Sequence, residues 1–85
     1  MPTLFRKFGF RFYFLSYDCP EPTHIHISDD QNKTAKFWLK GDKGVILSSQ
    51  VGFKKSELAK IEKEIFANFD TIVLAFDAYC KKNKK

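Results

Sequence analysis

The chain has little cysteine, proline or glycine, and no long apolar run. It holds two cysteines, Cys19 and Cys80, in 85 residues. They form no CxxC pair, which excludes a multi-disulfide scaffold. Composition alone therefore predicts two reduced thiols in a cytoplasmic protein. Four glycines leave no Gly/Ser linker, and no segment repeats. Of the three prolines, Pro20 and Pro22 fall together and predict a rigid loop over Asp18–Thr23, because proline blocks both helix and ladder bonding. The longest apolar run, Ile72–Phe76, is far too short to span a bilayer. No uninterrupted apolar stretch follows Met1–Phe5, where Arg6 and Lys7 come next, so a secretory leader is not expected.

What is present is aromatic and basic. Apolar residues make up 44% of the chain, with ten Phe, three Tyr and one Trp, enough for a packed core and too aromatic for a disordered chain. The formal net charge is +5. Lys81, Lys82, Lys84 and Lys85 supply four of those charges, so residues 1–80 carry only +1. The reading is one α+β domain over 1–80 and a disordered lysine-rich tail over 81–85.

The first two thirds read as strands. Thr3–Lys7 alternates, Lys7-Phe8-Gly9 suits a tight hairpin turn with Gly9 at positive φ, and Phe10–Ser16 is an aromatic strand. His24–Ser28 and Thr34–Lys40 are the third and fourth strands, with Asp29–Asn32 and Gly41–Gly44 as turns. Val45–Ser48 is a short fifth. The last third has helical spacing: Leu58, Ile61, Ile65, Phe69, Ile72, Phe76 and Tyr79. Ser56 is a candidate N-cap. Asn68-Phe69-Asp70 divides the segment into two helices, or kinks a single one. The expected fold is an antiparallel β-meander of four to five strands, with the helical segment packed on one sheet face.

Strand alternation then sorts side chains onto two faces. Phe10, Phe12 and Phe14, Ile25 and Ile27, and Ala35, Phe37 and Leu39 form the side for the helices to cover. The other side carries Arg11, Tyr13, His24, His26, Lys36 and Trp38, every one basic, imidazole or aromatic. Such a face suits single-stranded nucleic acid, whose bases stack on rings while cations hold phosphates. It equally suits a partner chain, or rings covered by the stems of their own cationic neighbours. His24-x-His26 opens two further readings. A ribonuclease-like enzyme would use the pair as acid and base without metal, with Lys36 or Arg11 facing the developing charge. A divalent metal would take both imidazoles but needs further ligands, for which Asp18, Cys19 and Glu21 lie just upstream. No triad and no cofactor motif is legible.

Four blocks carry a resemblance. Met1–Arg6 with Gly9–Ser16, then Glu21-Pro-Thr-His-Ile-His-Ile27, Ala35-Lys-Phe-Trp-Leu39, and Gly52-Phe53 with Glu57-Leu58, together resemble the bacterial family called domain of unknown function 4160 (DUF4160). Thr23 departs from it where a second proline is usual, and Lys54 where a serine commonly caps the helix; Lys40–Gln50 is less similar. The resemblance implies no established activity. It implies a neighbour from another small family, domain of unknown function 2442 (DUF2442), in an arrangement like a toxin–antitoxin pair. A cognate protein of that kind, a second copy of the chain, or RNA is the partner this implies.

Overall fold

The computed structural model describes residues 3–14, 19–20, 22–29 and 31–83. Five strands form one antiparallel sheet in chain order: β1 (Thr3–Lys7), β2 (Phe10–Tyr13), β3 (His24–Ser28), β4 (Thr34–Leu39) and β5 (Val45–Val51). Two helices follow, α1 (Lys55–Ala67) and α2 (Phe69–Asn83). The α+β meander read from the sequence is the fold. In the lysine-rich segment, α2 continues to Asn83.

Each turn has a local cause. Lys7 pairs with Phe10, leaving Phe8 and Gly9 as a two-residue turn, with φ of 58° and 79°. Positive φ at both positions is what a hairpin of right-twisted strands asks for; glycine adopts it without strain and phenylalanine does not. Between β3 and β4, Asp29 Oδ1 accepts the backbone N–H groups of Gln31, Asn32 and Lys33 at 2.9, 3.1 and 2.9 Å. Between β4 and β5, Asp42 Oδ1 accepts Gly44 N–H at 3.0 Å.

β5 extends three residues beyond the expected Val45–Ser48. Its register slips between Leu47, opposite Phe37, and Ser49, opposite Lys36. The extra residue, Ser48, is a β-bulge that lets pairing continue to Val51 opposite Thr34. Ser-Ser-Gln has no hydrophobic alternation to announce it. Gly52 then turns the chain at φ 86°, where a Cβ would lie 3.1 Å from Lys33 Cγ.

Ser56 is not the N-cap. The helix begins one residue earlier, at Lys55, and Lys54 is the extended cap residue. Its N–H donates to Glu57 Oε1 at 2.9 Å. Lysine has no acceptor to return the bond, so the cap is one-sided. Glu57 also takes Lys33 Nζ at 3.2 and 3.0 Å, tying the β3–β4 turn to the start of α1. Asn68 separates the helices: its Nδ2 donates to Glu64 O at 2.9 Å, and its carbonyl accepts Ile72 N–H at 2.9 Å.

The predicted apolar sets meet. Phe10, Phe12, Phe14, Ile25, Ile27, Ala35, Phe37 and Leu39 pack against Phe53, Ile61, Ile65, Phe69, Ile72 and Phe76 in one core. Phe14 meets Phe76 edge-on at 5.3 Å, and Phe10 meets Phe53 at 5.1 Å, the geometry aromatic quadrupoles prefer.

The expectation of two free thiols is corrected. Cys19 and Cys80 form a disulfide, with Cα atoms 5.4 Å apart and a sequence separation of 61. Cys80 lies one helical turn beyond Phe76, which is held against Phe14, so the segment leaving β2 starts beside the end of α2. Proximity in the fold overrides a rule drawn from cysteine scarcity. Among the described residues no helix is long and apolar enough to cross a membrane.

Candidate functional site: the open face of the sheet

The register brings the six predicted face residues together. Tyr13 pairs with His26, which pairs with Lys36; His24 pairs with Trp38; Arg11 lies beside Ser28, in the next row. Directly opposed residues share a face, and those two apart along a strand do too. The side chains form a continuous line of contacts. The Arg11 guanidinium lies 4.4 Å from the centre of the Tyr13 ring. Tyr13 stacks on His26 at 5.5 Å. His26 meets His24 edge-on at 5.0 Å, and His24 meets Trp38 at 5.2 Å. Lys36 Nζ closes the line 4.4 Å from the Trp38 ring. A cation thus sits over each of the two large rings.

This face is less open than alternation alone suggests. His24 is fully buried, and Tyr13 is 9% exposed. Arg11, His26, Lys36 and Trp38 are half-buried. His24 opens β3 at the border of the sheet, where Phe76 of α2 comes within 5.6 Å of its ring. It therefore touches both the face and the helical layer, which a two-face scheme does not anticipate. Its Nδ1 lies 2.8 Å from Pro22 O. A carbonyl only accepts, so Nδ1 carries the proton and the lone pair of the neutral ring is on Nε2.

Sequence reasoning passed over three neighbours on this face. Arg6 lies opposite Arg11, a third cation on the face and the second at that end. Ser28 is buried beside Arg11. Ile46, opposite Trp38, adds an exposed apolar margin on β5. Alternation along His24–Ser28 already places Ser28 on this face, whereas Arg6 and Ile46 are assigned by strand pairing.

The arrangement bears on each chemistry. Base stacking on Tyr13 or Trp38 requires displacing Arg11 or Lys36 from the ring. Acid–base work by His24 requires a substrate to reach a side chain with no exposed surface, whereas His26 is reachable. Among the described residues no three His, Cys, Asp or Glu side chains converge as a metal set. Of the proposed extra ligands, Cys19 is held in the disulfide, and Asp18 and Glu21 lie outside the described residues. Three surface depressions lie elsewhere: beside the disulfide, between α2 and the β4–β5 turn, and between Val45 and Phe66. None of the three is lined by a residue of the contact line.

The two carboxylates with lowered pKa lie away from this face. Asp29 is held below its ordinary value by the backbone N–H of Lys33, then those of Gln31 and Asn32. Glu57 is held low by the Lys54 N–H and then the Lys33 ammonium. Both support turns.

A family model described as domain of unknown function (DUF4160) matches residues 9–77, from the first hairpin turn through most of α2. No curated protein and no solved structure matches the chain.

Proposed function

The chain belongs to the DUF4160 family, and from that premise we propose that it is a non-catalytic interaction module whose open sheet face binds an acidic segment of a cognate protein. The continuous line from Arg11 through Tyr13, His26, His24 and Trp38 to Lys36 carries the proposal. Trp, Tyr and Arg are the side chains that dominate binding energy when a partner excludes water around them. The rings are already covered by cations. That favours carboxylates meeting Arg11 and Lys36 at the rim over bases inserted on the ring faces. A two-protein arrangement of toxin–antitoxin type, which the resemblance implies, would supply such a partner.

The test is purification of the untagged protein expressed with its chromosomal neighbours, followed by mass spectrometry of what co-elutes and titration of the isolated pair. Trp38→Ala should weaken binding by about 30-fold or more, the scale of a hot-spot loss of about 2 kcal/mol. Lys36→Ala should reduce the salt dependence of binding. Recovery of RNA with no protein partner sinks the proposal, as does a Trp38→Ala protein of unchanged affinity.

A ribonuclease-like reading has one specific observation behind it. Two imidazoles stand 5.0 Å apart, one fixed by Pro22 O, and Lys36 is opposite the other in register. Under that reading His26→Gln abolishes cleavage of RNA while leaving partner binding intact.

A further inference from the structure

The sheet has two edges of opposite character. β1 carries Arg6 and Lys7 and is irregular between Thr3 and Phe5, the devices by which edge strands avoid pairing. β5 reads Val-Ile-Leu-Ser-Ser-Gln-Val, seven residues with no charge and no proline. Residues 46–51 are exposed throughout, and Ile46, Leu47 and Val51 are 49%, 41% and 63% exposed. Three of the six large exposed hydrophobics among the described residues thus lie on one edge strand. A fourth, Phe66 of α1, lines a depression with Val45 on the helical side of the same edge. A strand edge presents a row of backbone donors and acceptors that another strand satisfies.

We propose that β5 pairs antiparallel with β5 of a second copy of this chain, joining two sheets into one across a two-fold axis. The register follows from the bulge at Ser48. Ile46 lies opposite Trp38 and Val51 opposite Thr34, so both are on the open face; Leu47, opposite Phe37, and Gln50, opposite Ala35, are on the core face. Without the extra residue, positions 46 and 51 would point to opposite sides. Antiparallel self-pairing with the axis between Ser48 and Ser49 sets Ile46 against the second copy's Val51, and Leu47 against its Gln50. Both of these opposed pairs then share a face, and the two most exposed large apolar side chains of the strand cover each other. An uncharged strand offers nothing to select a charged partner strand. The basic β1 edge leaves β5 to pair with itself, which closes the assembly at two chains instead of extending it. The two open faces become neighbours across the join.

Sedimentation velocity on the oxidised full chain, over a concentration series, reads the assembly directly. The expected result is a reversible shift from one-chain to two-chain mass. Ile46→Lys and Val51→Glu should each hold the protein at one-chain mass, with far-UV circular dichroism unchanged and an unfolding transition that no longer depends on protein concentration. The double variant I46K/V51E should regain the dimer, because each new lysine then faces a new glutamate across the axis. A wild-type protein that stays at one-chain mass throughout overturns the proposal. So does a dimer that survives both single variants, or a double variant that fails to recover. A failed Trp38→Ala test leaves this result untouched, because Trp38 lies on the face and not on the edge.

Discussion

Removing the imidazole at position 24 takes away a ring that touches Trp38, His26 and Phe76, together with the donor to Pro22 O. The side chain is fully buried, so His24→Ala opens a cavity and should cost about 2–4 kcal/mol in urea unfolding. His24→Phe keeps a ring and loses only the hydrogen bond, so about 1–3 kcal/mol is expected. His26→Ala, at a half-buried position, should cost less than either. A structural role for His24 predicts that order whatever the protein binds. Asp29 and Glu57 act on a different variable. Each has its pKa lowered in the folded state, by the backbone N–H groups of Lys33 and Lys54 first of all. The unfolded chain then binds protons more readily than the folded one. The stabilisation is complete above the unfolded pKa and is lost as pH falls through the lower folded value. Thermal melting should therefore show an acid limb that begins near the ordinary carboxylate range. Asp29→Ala should lower Tm at neutral pH and flatten that limb.

At the scale of elements, the start of α1 is the weakest joint. Lys54 occupies an extended cap position with no side-chain acceptor, while Glu57 already supplies the return bond of a capping box. Lys54→Ser should complete the box and raise stability by about 1 kcal/mol in denaturant titration, whereas Ser56→Ala, inside the helix, should do little. The strands, the C-terminal helical segment and the sorting of the six residues onto one face were legible because period-two and helical spacings survive in the sequence, whereas the sequence leaves the break into two helices at Asn68 open against a single kinked helix. Phe10, Phe12 and Phe14 on one side against Arg11 and Tyr13 on the other required no coordinates. The length of β5 was not legible, because Ser48, Ser49 and Gln50 carry no pattern and a bulge shifts the phase. The burial of His24 was not legible either. Alternation assigns a side chain to a face, but at the border of a sheet a helix residue such as Phe76 reaches the ring as well.

For the whole molecule the decisive covalent fact is the Cys19–Cys80 bond, which no local pattern announces because its ends are 61 positions apart. A meander builds its sheet from neighbours in sequence, so its strands pair at short range. The disulfide does the opposite, fastening the segment after β2 to the last turns of α2 and enclosing three strands, all of α1 and most of α2. The chain-entropy cost removed from the unfolded state by a loop of this length is about 4 kcal/mol. Small domains have only about 5–15 kcal/mol of stability in total, so reduction should bring this one close to its limit. Urea titration with and without dithiothreitol measures the difference, and the Cys19→Ser, Cys80→Ser double variant should match the reduced protein. A loss under about 1 kcal/mol would mean that the contacts of Phe76 with Phe14 and His24 already hold this region in place. Local consequences should appear before unfolding does. Pro22, three residues from Cys19, positions His24, and His24 packs on Trp38. Trp38 is the sole tryptophan, so its fluorescence reports the surroundings of that one ring, His24 on one side and Lys36 on the other. Reduction in the absence of denaturant should change its emission while far-UV circular dichroism stays constant. An unchanged spectrum in protein shown by thiol titration to be fully reduced would mean that the clip and the binding face are mechanically independent.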